Sequence, residues 1–276
     1  MKVAYTCWTW LVNHKDNYKF EFEQSLKEVS YLGYDAVENF AFITDYYDWD
    51  ANEVKGLLDQ YGLEMANLYH HYRGTDAESY EEDYTRGVKY FDFMKKLGAK
   101  YMNLQAVMWR EGPNDRPTDR DEILRYAELS NRLGKAAKEE GIIPCFHPHA
   151  NTNIFKEDEV DLYLENTDPN LVWFCLDTAH TLLGGMDPVA AAKKYASRTG
   201  YVHLKDVDPD VNLSPEWPMN RFRPLGFGTV DFRGVVEALK AGGYDGVLCV
   251  EQDRPPICNF HAAMISRQYI KNVLGL

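Results

Sequence analysis

The chain has 276 residues, 45% of them hydrophobic, and its 30 lysines and arginines against 43 acidic residues leave a formal net charge of −13. That length supports one large core, while the acidic balance lacks the basic stripe that nucleic acids or an anionic membrane surface demand. No apolar run reaches membrane-spanning length, and MKVAYTCW lacks a charged-then-apolar leader, so the start reads as mature sequence. The five cysteines form no CxxC pair and make a poor disulfide framework, which points to a reducing cytoplasm.

The hydrophobic period then alternates between two and 3.6 along the chain. Residues 2–8 read as a strand, 21–32 as a helix stopped by Gly33, and 34–40 as a second strand with Glu38 near its end. Helix 52–61 closes on Gly62, and strand 63–69 runs into His70 and His71. Helix 78–97, strand 99–105, helix 119–140, strand 142–147 and helix 158–165 continue the series. Strand 172–177, helix 187–195, strand 201–205, helix 231–241, strand 247–251 and helix 262–273 complete it. Eight such pairs predict a (β/α)8 TIM barrel, with residues 1–276 as a single domain. An open doubly wound sheet usually has fewer strands and a glycine-rich first turn, and no GxGxxG follows Trp8. One connection departs from the short-loop rule: residues 206–229, rich in Pro and Asn, are predicted to form a lid on the catalytic face.

Polar residues at the carboxyl ends of apolar strands are where barrels place their sites. The histidines at 70, 71, 147, 149, 180 and 203 all fall at or just past predicted strand ends, whereas His14 and His261 do not. His147, Asp177, His203 and Glu251 close the fifth to eighth strands, and each follows by two residues an inward Cys145, Cys175, Tyr201 or Cys249. Alternation therefore aims all four into one mouth. Two imidazoles and two carboxylates there predict a divalent metal site, for Mn, Zn or Co rather than the oxygen-preferring Mg. The three cysteines, one inward step deeper, read as small core fillers. Trp8, Trp10, Phe40, Tyr69 and Trp109 lie near strand ends, where they either stack on a substrate face or simply pack. Gly226 and Gly228, with Arg221 and Arg223, leave a phosphate site open.

The strand ends LDTAH, VHLKD and VEQD, with LGFGTVDF before the last helix, resemble those of the xylose-isomerase-like barrels. That family comprises sugar isomerases and epimerases, inosose dehydratase and, more distantly, the endonuclease IV group. The resemblance spans essentially the whole chain. It implies that Asp177, His203 and Glu251 are metal ligands, that His180 contacts substrate and that Glu38 lines the pocket. Ketose epimerases of the family carry a glutamate on the fifth strand that binds metal and moves a proton, whereas here the position is His147 in HPHANT. This departure, together with HLKD, resembles the inosose dehydratase branch.

The expected function is thus metal-dependent chemistry on a keto-sugar or keto-polyol, beginning with removal of a proton α to a carbonyl. Glu251 or a fifth-strand histidine, His149 included, is the expected base, and Lys205 or His180 the expected acid if a β-hydroxyl is expelled. Lys205 suits that role only if desolvation lowers its pKa toward neutrality. His70, Trp8, Trp109, Glu38 and Arg223 are expected to contact substrate. Dehydration is favoured, with isomerisation or epimerisation as the alternative. An endonuclease-like enzyme or a non-catalytic sugar-binding barrel is the remote rival. Nucleic acid and membrane are not expected partners, and a homo-oligomer stays open.

Overall fold

The computed structural model describes residues 1–12, 14–73, 76–106, 119–210, 221–255 and 257–276. Its strands are β1 (Lys2–Thr6), β2 (Ala36–Phe40), β3 (Glu64–His71), β4 (Tyr101–Gln105), β5 (Ile143–Phe146), β6 (Trp173–Asp177) and β7 (Thr199–Leu204). After them come β8 (Asp206–Val207), β9 (Phe222–Arg223) and β10 (Val247–Val250). The parallel strands β1 to β7 and β10 close a barrel in the order β1-β10-β7-β6-β5-β4-β3-β2, as the alternating pattern predicts. The short β8 and β9 pair antiparallel outside it, at the base of the long connection expected to be a lid. Residues 211–220, the body of that connection, lie outside the described residues.

Helices fill the crossovers: α1 (Trp8–Leu11), α2 (Tyr18–Tyr31), α3 (Ile43–Tyr46), α4 (Ala51–Tyr61), α5 (Ala77–Leu97) and α6 (Arg120–Glu139). They continue with α7 (Glu157–Glu165), α8 (Thr178–Leu183), α9 (Pro188–Lys194), α10 (Phe232–Ala241) and α11 (Asn259–Tyr269). Their boundaries follow local chemistry. Asp50 accepts from the backbone N–H groups of Asn52 and Glu53 to start α4, and Gly62 ends it with φ 67°, a left-handed geometry that only glycine adopts without strain. The short α1, α3 and α8 were not expected from the sequence; Trp8 opens α1 and does not extend β1. Among the described residues no helix is long and apolar enough to cross a membrane.

The core has two parts. Outward strand residues such as Val37, Leu68, Leu104, Phe174 and Leu248 pack under the helices, where α10 contributes Phe232, Val235, Val236 and Leu239. Each such side chain stabilises the fold by about 1.5–3 kcal/mol on burial. Inside the barrel a second cluster joins Ala4, Ala36, Ala66, Cys145, Cys175, Tyr201, Val247 and Cys249. Small residues are needed there because side chains from all sides meet on one axis. The expected core-filling cysteines belong to this plug, and burial pushes their thiols up, so they stay protonated.

Candidate active site and metal centre at the barrel mouth

One step above the plug, alternation along four adjacent strands brings His147, Asp177, His203 and Glu251 together, with one donor atom of each within 4.8 Å of the others. His147 Nε2 lies 3.3 Å from Asp177 Oδ2, and His203 Nδ1 lies 3.5 Å from the same oxygen and 2.9 Å from Glu251 Oε2. Asp177 is fixed from both sides. Its Oδ1 caps α8 by accepting the His180 N–H at 2.8 Å, which leaves Oδ2 for the mouth. His203 Nδ1 and Glu251 Oε2 meet at 2.9 Å, but neither has a well-directed hydrogen-bond partner. Two orphaned buried donor atoms facing a common centre, in a set of two nitrogens and two oxygens, fit a divalent cation.

Charge supports the same fit. Glu38, Asp177, Glu251 and Asp253 are all buried here, against one buried ammonium, that of Lys205. Such an excess of carboxylates is costly in a low dielectric unless a cation offsets it. Burial opposes the charge of Asp177, but its contacts with His147 and His203 hold it well below the usual carboxylate range. Glu251 is likewise held low, with Lys205 and His203 outweighing burial. Burial also opposes a proton on His203, yet Glu38 and Glu251 raise its pKa well above the ordinary value.

Lys205 sits behind this set, with Nζ 2.7 Å from Asp253 Oδ2, 3.1 Å from His180 Nε2 and 3.5 Å from Glu251 Oε2. Burial pulls its pKa down, but Asp253, Glu251 and Asp177 outweigh that and hold it above an ordinary lysine. The desolvated, near-neutral lysine envisaged from the sequence is therefore corrected to a firmly charged one. Asp253 shifts the other way, raised by burial despite Lys205. The His149 ring packs 3.7 Å from His180, centroid to centroid. His149 Nδ1 is 2.8 Å from its neighbour's carbonyl, Ala150 O, and so carries the proton, leaving Nε2 as a lone pair. Burial, then Lys205 and His147, lower the pKa of His149 to about 3 and keep it neutral.

A cavity of about 350 Å³ opens over this cluster, lined by Trp8, Val12, Phe40, Tyr69, His71, Gln105, His149, Glu251, Asp253 and Arg254. Trp8 meets Phe40 edge-on at 4.7 Å, making an aromatic wall opposite the charged one. His180 borders a smaller recess of about 150 Å³ with His149, Arg221 and Phe222. Three expectations change. His70 is directed out of the barrel, with Nε2 3.1 Å from the Asp83 carbonyl on α5, and His71 takes the cavity position. Alternation from the inward Tyr69 was the available signal. Glu38 does not line the cavity but pairs with His203 Nε2 at 2.9 Å. Arg223 sits in β9 and donates to the Phe222 carbonyl, away from the lining. Trp109 lies outside the described residues.

The glycine turn left open for phosphate already holds an anion of its own. Asp206 Oδ2 accepts from the N–H groups of Gly226 at 2.9 Å and Gly228 at 2.8 Å, and Oδ1 from those of Val207 and Val230. Sequence reading missed Gln105, Asp253 and Arg254, and put His71 at a strand end without giving it the cavity. Of these, Asp253 was within reach, two residues past Glu251 and so on the same face of the chain.

The family described as xylose isomerase-like TIM barrel matches residues 26–271. The inosose dehydratase of Clostridium beijerinckii is 30% identical over 273 residues, covering 92% of this chain and 90% of that protein. A solved structure of the IolI protein with a bound zinc atom superposes with a TM-score of 0.78 at 20% identity, covering 100% of this chain and 98% of the other. The D-allulose 3-epimerase of Methylomonas sp., solved with D-allulose, gives 0.80 at 20% identity, covering 99% and 96%. A match over nearly the whole barrel, together with a relative of this identity and coverage, places the chain in the xylose isomerase-like TIM barrel family.

Proposed function

We propose that this chain is a divalent-metal-dependent lyase that removes a proton α to the carbonyl of a keto-sugar or keto-polyol and expels a β-hydroxyl as water. The observation that carries the reading is the convergence of His147, Asp177, His203 and Glu251 beside a cavity that His149 also lines. Its inosose dehydratase relative and the histidine on the fifth strand favour dehydration over epimerisation. Manganese, zinc or cobalt suits two imidazoles with two carboxylates better than magnesium does. A bound ion supplies Lewis acidity that makes a hydrogen α to a carbonyl more acidic.

The chain's own groups carry the proton steps. His149 offers a lone pair at Nε2 on the cavity wall, so the α-proton moves there as the C–H bond breaks. Asp253, which lines the cavity and whose carboxyl pKa is raised by burial, is the acid of a couple with Lys205, held charged 2.7 Å away. The C–O bond breaks as the hydroxyl takes a proton from that couple, and the proton on His149 returns to it through water. Atoms balance as one substrate to one enone or enol product plus water, with no redox partner. The aromatic wall of Trp8, Phe40 and Tyr69 accepts the apolar ring face of a polyol.

The test loads the purified protein with each metal and offers a panel of keto-polyols and keto-sugars in deuterated buffer. Metal-dependent loss of water with solvent exchange at the α-carbon is the expected result. Turnover that yields only epimers or aldose–ketose pairs overturns the lyase reading in favour of an isomerase, and no metal uptake overturns both.

A further inference from the structure

The two imidazoles of the donor set approach its centre through different nitrogens, and each has its other nitrogen held by a particular side chain. His203 turns Nδ1 to Asp177 and Glu251, while its Nε2 lies 2.9 Å from Glu38 Oε2. That carboxylate oxygen also accepts from Asn67 Nδ2 at 2.9 Å, and Asn67 Oδ1 accepts from the Asn103 N–H at 2.8 Å. Asn103 Nδ2 stands 3.3 Å from the same imidazole nitrogen. His147 does the reverse. Its Nε2 faces Asp177 at 3.3 Å, and its Nδ1 lies 2.5 Å from Tyr69 Oη, itself 2.5 Å from Gln105 Oε1.

The donor inventory decides the protons. A carboxylate accepts, and Glu38 at 2.9 Å is nearer than the Asn103 amide nitrogen at 3.3 Å, so His203 carries hydrogen on Nε2. Gln105 Oε1 also accepts, so the Tyr69 hydroxyl donates to it and must take the hydrogen on Nδ1 of His147. Each ring turns its other nitrogen to the centre, where it meets carboxylate oxygens of Asp177 and Glu251, and a cation bound there takes the place of any proton on it, leaving the lone pair a metal requires. From this geometry, and resting on the metal reading above, we propose that Glu38 and Tyr69 are positioning residues that fix opposite tautomers, His203 ligating through Nδ1 and His147 through Nε2. Glu38 spans the barrel from β2 to β7, so it holds its ring only when the barrel is closed. The two partners also differ in kind. The anionic Glu38 raises the basicity of its imidazole as well as orienting it, whereas the neutral Tyr69 mainly orients.

The experiment has two arms. Zinc-loaded wild type labelled with ¹⁵N-histidine should show, in long-range ¹H–¹⁵N spectra, His203 protonated on Nε2 and His147 on Nδ1. The opposite tautomer on either ring overturns the proposal without any variant. Chelator competition without substrate then reads zinc affinity directly. Glu38→Ala should weaken it about 100-fold and Tyr69→Phe about 10-fold. Glu38→Gln should recover part of the loss, because Asn67 Nδ2 keeps the amide oxygen turned toward Nε2. Wild type that takes up no zinc defeats the metal reading itself. Wild type that binds one zinc, with Glu38→Ala binding it equally well, defeats only the positioning.

Discussion

The two ends of the barrel are built from the same strands, yet they hold opposite kinds of cavity. The lower one, about 400 Å³, is the larger, lined by Tyr101, Ile143, Trp173, Thr199, Gly200, Tyr244 and Gly246 among others. Its one acidic residue, Asp245, is exposed and paired with the chain's N-terminal amine, and the Tyr244 hydroxyl donates to the Val247 carbonyl. No residue lining it is among those with an orphaned buried polar side chain. At the mouth, a smaller cavity of about 350 Å³ adjoins orphaned nitrogens and oxygens, four buried carboxylates and a buried lysine. Size does not mark a site, then; unsatisfied donors that converge do. The plug of Ala4, Ala36, Ala66 and the cysteines separates the two ends.

The sharpest way to break this contrast is to remove a donor. Asp177→Ala takes away both the α8 cap and the oxygen that faces both histidines, and Glu251→Ala takes away an oxygen 2.9 Å from His203. Each should lose most bound metal. Turnover should fall by roughly 10⁴-fold, the equivalent of the several kcal/mol that Lewis-acid polarisation supplies. Elemental analysis beside steady-state assay checks this. Equal metal in wild type and both variants removes the centre.

Much of this was legible in the sequence because a barrel strand repeats one rule. An apolar run with a polar residue at its carboxyl end, two residues past an inward one, fixes both the element and its face. His147, Asp177, His203 and Glu251 are all of that kind. What was not legible depends on closure across the barrel. Glu38 meets His203 from the far side, a pairing 165 residues apart that strand grammar cannot express. Asp206 fills a turn 20 to 24 residues later, so its glycines looked like a phosphate site. The exchange of His70 for His71 has a humbler cause: β3 was expected to stop at residue 69, but it runs to His71, and Tyr69 and His71 share the inward face.

A second comparison, within the mouth, separates binding from proton transfer. His147→Ala should weaken metal binding. His149→Ala should keep the metal and lower kcat about 10²- to 10³-fold, the scale of a lost general base. Titration with the metal and single-turnover assay divide the two. Metal loss in His149→Ala but not His147→Ala would mean that the two residues exchange roles.

Lys205→Met tests the charged wall. Asp253 and Glu251 would lose the ammonium at 2.7 and 3.5 Å, so stability should drop by about 3–5 kcal/mol, as for a broken buried ion pair. The variant should still exchange the substrate α-hydrogen with deuterated buffer while forming little net product, because only the second proton transfer needs the couple. Denaturant melts and NMR read these separately. Loss of exchange and product together would move Lys205 into the first step.

The smallest expected effect lies at the other end and tests whether the two ends are independent. Gly200, the second residue of β7, lies three residues before His203 and borders the lower cavity. A Cβ there would stand 2.8 Å from Trp173 Cβ and 2.9 Å from Cys145 Sγ, closer than such contacts allow, and neither neighbour is the far end of a flexible chain. Gly200→Ala should therefore cost about 1–3 kcal/mol by overpacking, a fall in Tm of roughly 2–10 °C for a protein of this size. Its strand is anchored above that point by β6 and β10, through Cys175 and Tyr201, Leu176 and Val202, and Cys249 and His203. The shift should be absorbed below His203, leaving metal affinity and kcat within about twofold of wild type. A tenfold loss of metal affinity with a small change in Tm would show instead that strain at the bottom travels up β7 to His203, and the plug would no longer divide the barrel into a structural end and a chemical one.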